Sequence, residues 1–147
     1  MRDPYQILSI QYRIVKNTPL FCVLRRTDSS YWQFVAGGGE NGEIPIEAAK
    51  RETTEEIGIE PTNIKQLTCI AYVPAEVIAE SKRRHWDKNT VVIPEYTFAF
   101  ECYGEPTLSH EHIEYKWLPY YEARKLLKWD SNKVAMYEIN ERLKNNI

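Results

Sequence analysis

Residues 37–59 read GGGENGEIPIEAAKRETTEEIGI, and the reading of this stretch decides the fold. Gly37, Gly38 and Gly39 predict a glycine-rich turn running into a helix that carries Arg51, Glu52, Glu55 and Glu56. Pro45 suits the first turn of that helix, where its missing N–H does no harm. Ile46, Ala49, Thr53 and Ile57 form the inward stripe. Gly58 is a natural left-handed terminator, and Pro61 prevents the helix from resuming. Positions 52, 55 and 56 stand as i, i+3 and i+4 and share one face. Like charges at that spacing cost a helix about 0.2–0.5 kcal/mol per pair, and a hard divalent cation with oxygen ligands reverses the sign. A solvated acidic face, with Arg51 paired to Glu55, accounts for the same residues. The helix charges alone leave both readings open.

Outward from that stretch, Tyr31 to Val35 predicts a short aromatic and β-branched strand. Residues 5–15 alternate, with Leu8, Ile10, Tyr12 and Ile14 opposite Ser9, Gln11 and Arg13, the pattern of a half-buried strand. The apolar run Leu20 to Leu24 suits a strand covered on both faces. Lys16 to Pro19 reads as a turn that joins these two strands in a hairpin. On the C-terminal side, Ile64 to Val73 is a further strand. Glu80 to Asn89 (ESKRRHWDKN) lacks helical periodicity and reads as a loop, in which Lys82, Arg83, Arg84, His85 and Trp86 either cover a polyphosphate or stack a base, or are simply exposed. Tyr96, Phe98, Phe100 and Cys102 share a face of a strand that begins near Pro94. Ile113 to Leu118 is the last strand. Pro119 opens a short helix packed through Ala123, Leu126 and Leu127. A final helix, capped by Asp130 or Ser131, carries Met136, Ile139 and Leu143 at helical spacing. The sum is an α/β/α sandwich around a mixed sheet.

At 147 residues the chain reads as one domain, residues 1–147, with enough length for a core. A net charge of −2 argues against a general nucleic-acid surface or an anionic membrane as partner, and leaves room for a small phosphorylated substrate. Cys22, Cys69 and Cys102 fall outside metal or redox spacings and fit reduced, packed thiols in a cytoplasmic protein. No signal peptide or membrane span is expected, and the oligomeric expectation is a monomer or homodimer.

The whole stretch resembles the Nudix box, G-x5-E-x7-R-E-U-x-E-E-x-G-U with U aliphatic. Gly37, Glu43, Arg51, Glu52, Glu55, Glu56, Gly58 and Ile59 fill its fixed positions and its last aliphatic one. Thr53 departs, standing where an aliphatic residue is usual; it is β-branched and can bond back to a carbonyl one turn earlier. The resemblance implies a Nudix α/β/α sandwich that hydrolyses phosphoanhydrides with Mg²⁺, Mn²⁺ being a substitute. It implies Glu52 and Glu56 as metal ligands, Glu55 as ligand or base, and Arg51 orienting a glutamate. Gly37 and Glu43 would shape the loop. Leu24-Arg25-Arg26, Tyr31-Trp32-Gln33, Glu111-His112-Ile113-Glu114-Tyr115-Lys116-Trp117 and Ser131-Asn132-Lys133 are similar to the dihydroneopterin triphosphate pyrophosphohydrolase branch. That similarity implies Glu111 as a further metal ligand and Arg25 as a contact to substrate phosphate. Ala36 stands where the branch usually carries a hydroxyl residue. The E-H-x-x-Y-x-W ending is also carried by diadenosine tetraphosphate hydrolases.

Phosphoanhydride cleavage requires charge stabilisation on phosphoryl oxygens and a placed water, which Mg²⁺ held by a few carboxylates supplies. Glycines at 37 and 38 would let backbone approach a phosphate closely. The expected reaction converts a nucleoside or pterin triphosphate to monophosphate and pyrophosphate. Cleavage of a dinucleoside polyphosphate and a non-catalytic nucleotide-sensing module are the alternatives. His110 and His112 read as surface residues, Trp32 and Phe34 as core or pocket wall, and Trp117 and Trp129 as packing.

Overall fold

The sheet is assembled on β1, which runs from Arg2 to Val15. A computed structural model describes residues 1–147. Along one edge β1 pairs antiparallel with β4 (Val35–Glu40) and then with β2 (Thr18–Arg26); along the other it pairs parallel with β6 (Val92–Glu101). β5 (Lys65–Pro74) continues beyond β6, while β3 (Trp32–Gln33) and β7 (His112–Pro119) pair with β2. The result is a mixed seven-stranded sheet. The hairpin between β1 and β2 closes through Lys16 and Asn17, both at positive φ, the twist that suits a two-residue connection.

Helices cover both faces, so the expectation of a half-buried first strand is corrected. Leu8 and Ile10 face α4 (Asp130–Asn145), packing with Phe21, Val23, Ala135, Met136 and Ile139. Ile7 faces α1 (Pro45–Ile57), packing with Cys22, Leu24, Ala48, Ala49, Ile57, Phe98 and Phe100. Ser9 and Gln11 lie on this α1 face and are fully buried. Their polarity is met internally except at Gln11 Oε1, which is buried without a partner. Thr53 Oγ1 bonds the Ala49 carbonyl at 2.7 Å and the Ser9 hydroxyl at 2.8 Å, and Gln11 Nε2 donates to the Ser9 carbonyl. The departure at Thr53 thus joins helix to strand with a hydrogen bond that an aliphatic residue lacks.

The glycine run is a strand, not a turn. Gly37, Gly38 and Gly39 lie within β4, where Gly37 and Gly38 pair with Ile7 and Gln6 of β1; the turn follows at Asn41–Gly42. A Cβ on Gly37 would overlap the Glu52 carboxylate, one on Gly38 the Arg2 guanidinium, and one on Gly39 the Tyr5 ring. Successive residues of a strand alternate faces, so β4 admits Glu52 from one side and Arg2 from the other. α1 ends where expected, with Gly58 at φ 67°.

Three smaller corrections concern the segments around this frame. The third strand is shorter than its residues suggested, with Phe34 separating β3 from β4. The segment 80–89 contains one helical turn, α2 (Glu80–Arg83). Neither Asp130 nor Ser131 caps α4; the N-cap residue is Trp129, without a side-chain bond. α3 (Tyr120–Leu126) follows Pro119 as expected. On β5, the register shifts between Gln66 and Ile70, and the freed N–H groups of Thr68 and Cys69 donate to the Glu138 carboxylate at 2.7 and 2.8 Å. Arg142 holds Glu138 at 2.8 Å and the Thr68 hydroxyl at 2.8 Å. Cys22, Cys69 and Cys102 are free thiols, and no helix is long and apolar enough to cross a membrane.

Candidate active site

A cleft of about 530 Å³ lies against β4, lined by Ala36, Gly37, Glu52, Glu56 and Glu111 together with Arg2, Lys82 and His85. That size falls within the roughly 300–1,000 Å³ usual for small-ligand sites.

The three glutamates of α1 do not share one environment. Glu56 is 4 % exposed, and its Oε2 is buried without a hydrogen-bond partner. Burial first, then the charges of Glu111 and Glu52 and a hydrogen bond shared with Glu111, push the Glu56 carboxyl up to about 10. The Ala36 N–H works in the opposite direction. The Glu52 side chain is 14 % exposed; burial raises its carboxyl and the Arg51 guanidinium opposes the shift. The Glu55 side chain is 57 % exposed and lies outside the cleft, bonded to Arg51 Nη1 at 3.2 Å. Helical spacing puts all three on one face, but only Glu52 and Glu56 line the cleft with Glu111, and of these Glu56 is the one whose ligand atom lies within 4.8 Å of it.

Arg51 fixes this arrangement. Its Nε and Nη2 donate to Glu43, its Nη2 also to the Gly38 carbonyl at 2.8 Å, and its Nη1 to Glu52 at 3.0 Å. Glu43 in turn accepts the Glu40 N–H at 2.9 Å. The Arg51 bonds hold the Glu43 carboxyl below its ordinary value. Glu43 therefore ties the Glu40 N–H of the loop to Arg51 of the helix.

Glu111 reaches the site from the residue before β7. Its carboxylate, that of Glu56 and the His112 ring offer ligand atoms within 4.8 Å of one another. His112 is 3 % exposed, which corrects its reading as a surface residue; His110 is exposed. His112 Nε2 lies 3.4 Å from Gln33 Nε2, and its Nδ1 is buried without a partner. Burial, and then the nearby Arg26 charge, lower the His112 pKa.

Arg25 does not line the cleft. Its Nε donates to Glu114 across the β2–β7 pair at 2.7 Å. Arg26 bonds Asp28 through Nε and Nη2 at 2.8 and 2.9 Å, and that bond first, with the nearby Glu111 and Glu56 charges as smaller contributions, raises its pKa. Of the basic segment, Lys82 and His85 line the cleft, whereas Arg83 donates to the Ile78 carbonyl and Arg84 pairs with Glu80. Two donors from this segment, Trp86 Nε1 at 2.7 Å and His85 Nε2 at 2.8 Å, converge on the Arg2 carbonyl. Arg2 carried no signal in the sequence; apart from Gln6, its contacts with Gly38, His85 and Trp86 lie far along the chain. Trp129 is 46 % exposed and meets Tyr31 edge-on, correcting its assignment to packing. Trp117 lies under the Arg13 guanidinium, 3.6 Å from its ring centroid.

Residues 12–138 match the family model described as NUDIX domain. Dihydroneopterin triphosphate diphosphatase of Escherichia coli K12 is 32 % identical over 143 residues, covering 92 % of this chain and 91 % of the relative. The structure of the E. coli dihydroneopterin triphosphate pyrophosphohydrolase superposes with a TM-score of 0.74 at 27 % identity, covering 95 % of this chain and 97 % of the other. A Nudix-type protein of Listeria monocytogenes superposes with a TM-score of 0.83 at 44 % identity, covering 98 % and 97 %.

Proposed function

The chain belongs to the Nudix family of hydrolases acting on phosphoanhydrides, and from that premise we propose that it is a Mg²⁺-dependent pyrophosphohydrolase of a pterin or nucleoside triphosphate. The products would be the monophosphate and pyrophosphate. The observation that carries this reading is Glu56, a buried carboxylate with an oxygen left unbonded beside two further carboxylates, Glu52 and Glu111. An unsatisfied buried polar group costs about 1–3 kcal/mol, and more when charged. A hard divalent cation satisfies such an oxygen, and the carboxylate donors suit Mg²⁺ or Mn²⁺.

Glu52, Glu56 and Glu111 are the ligands we assign. When bound, the cation supplies neutralisation of charge on the phosphoryl oxygens and acidifies water at the site. Arg51 positions Glu52, since all five of its N–H donors are engaged with Glu43, Gly38, Glu52 and Glu55 and none is left for substrate. Arg2 and Lys82, which line the same cleft as the acids, are suited to the remaining negative charge of a triphosphate. Arg25 is held by Glu114; a phosphate contact from it would require that pair to open.

The identity to dihydroneopterin triphosphate diphosphatase makes the pterin triphosphate the first substrate to try. The test is a panel of pterin and nucleoside triphosphates with Mg²⁺, read as monophosphate plus pyrophosphate. Absence of turnover on every member with Mg²⁺ and with Mn²⁺ would overturn the proposal. Two nucleotide products from a dinucleoside polyphosphate, with triphosphates untouched, would move the assignment to that substrate class.

A further inference from the structure

On the face of the sheet turned away from α1, Gly38, Gln6, Glu95 and Ala71 stand side by side across β4, β1, β6 and β5. The outer two are small, so Gln6 and Glu95 are the only long side chains in that row. Ile93, two residues along β6 on the same face, packs with Trp86. On the other side stands Ser131, in the first turn of α4.

Arg2 connects this row to the acidic cleft. Its guanidinium fills the space in front of Gly38 and donates through Nη2 to Gln6 Oε1, while Arg2 also lines the cleft with Glu52 and Glu56. Ala36 connects them too. Its N–H serves the Glu56 carboxylate, and its side chain packs into the core under α4.

Glu95 has no part in the chemistry described above, yet it is a carboxylate only 5 % exposed with an Oε1 that has no partner. Burial raises its carboxyl, and Ser131 is the side chain that favours the charged form. No cation faces it. What satisfies a planar carboxylate in such a place is a pair of adjacent, coplanar N–H donors. Among common heterocycles, the 2-amino-4-oxopyrimidine edge presents that pair, a ring N–H beside an exocyclic amine, and guanine and pterins share it. Adenine and cytosine set an acceptor beside their amine, uracil flanks its N–H with carbonyls, and hypoxanthine lacks the amine.

We propose that Glu95 reads the 2-amino-4-oxopyrimidine edge of the substrate ring and so sets ring specificity, with Arg2 and Gln6 lying between the ring and the phosphates. This rests on the triphosphate reading above for its place in the reaction, and on Glu95 alone for its ring chemistry.

Binding tests it without turnover. Neopterin, guanosine monophosphate and inosine monophosphate are titrated into the full chain, wild type and Glu95→Gln. Wild type is expected to prefer an amino-bearing ligand over inosine monophosphate by about ten-fold or more, because a donor-matched site left unpaired loses heavily. Whichever of neopterin and the guanosine ligand binds more tightly names the source of the ring. In Glu95→Gln the preference is expected to collapse, with the matching kinetic loss on the amino-bearing triphosphate falling on KM more than on kcat. Glu95→Gln exchanges a buried acid for a neutral isostere, so it is expected to fold. Glu95→Asp, which keeps the charge and withdraws it by one methylene, should weaken the same ligands.

Equal wild-type affinity for all three ligands overturns the proposal. So does a Glu95→Gln loss that falls equally on guanosine and inosine ligands. Turnover with an unchanged ring preference in the variant sinks the role of Glu95 and leaves the hydrolase intact. A ring preference lost in the variant, with no triphosphate hydrolysed, does the reverse.

Discussion

Arg51 closes on Glu43 as a two-pronged fork, with Nε 2.8 Å from Oε2 and Nη2 2.9 Å from Oε1. The third nitrogen, Nη1, is thereby aimed at Glu52. A planar guanidinium does this and a lysine ammonium cannot, because one point donor cannot span both oxygens and still reach a second acid.

Arg51→Lys is therefore expected to lower activity about 10–100-fold, the usual effect of loosening a residue that orients a metal ligand. Glu43→Gln should follow in the same direction. Steady-state kinetics at several Mg²⁺ concentrations check this: the metal concentration for half-maximal rate should rise in both variants, with substrate KM changing less.

Gly37→Ala places a methyl group where the Glu52 carboxylate sits. Overpacking of this kind disturbs by about 1–3 kcal/mol, and here the strain falls on a proposed ligand. Mn²⁺ titration followed by paramagnetic resonance should show weakened binding. Gly42→Ala, where the new Cβ meets nothing within 4 Å but φ is 81°, should lose stability without that metal defect.

Glu56→Gln is expected to abolish turnover and yet melt higher than the wild type without metal at neutral pH, since the wild-type acid must take up a proton to be buried there and the amide need not. Addition of Mg²⁺ should raise the wild-type melting temperature, by the equivalent of about 2.7 kcal/mol at a hundred times Kd. The variant should respond far less. Scanning fluorimetry with and without chelator makes both comparisons, and equal metal responses in the two proteins would refute the assignment of Glu56 as a ligand.

Glu138 offers a pH prediction away from the site. Burial alone would raise its carboxyl, but the Thr68 N–H, the Arg142 guanidinium and the Cys69 N–H outweigh burial and hold it at about 2 against an ordinary 4.5. A depressed carboxyl stabilises fully above its unfolded value and loses that contribution as pH falls toward the folded one. Glu138→Gln should therefore be less stable than wild type at neutral pH, with the gap narrowing below about pH 4.5. Urea midpoints at pH 7 and pH 3 test the sign.

What could be read from the residues was what depends on neighbours in the chain. Pro45, the apolar stripe and Gly58 mark α1 because caps and periodicity are local, and the spacing of Gly37 to Gly58 carried the family. The glycine run was misread because its three Cβ vacancies answer to Glu52, Arg2 and Tyr5, none of them nearby in sequence. Ser9 and Gln11 looked like a solvent face because alternation reports polarity and not where the polarity is satisfied. His112 failed for the same reason. At the site, the periodicity of α1 placed Glu52, Glu55 and Glu56 on one face, but which of them turns toward Glu111 depends on the fork of Arg51 and on the path of β4. Arg2, His112 and Glu95 come to matter only through strand register, which a single sequence does not display.

The vacancy at Gly37 also constrains how the protein can change. Strand and helix share one small volume there, so a methyl gained at 37 must be matched by a shorter acid at 52, and neither substitution is neutral alone. Divergent copies of this chain should therefore keep both residues or exchange them together. A double-mutant cycle of Gly37→Ala with Glu52→Asp should show the paired change recovering part of what the glycine substitution loses.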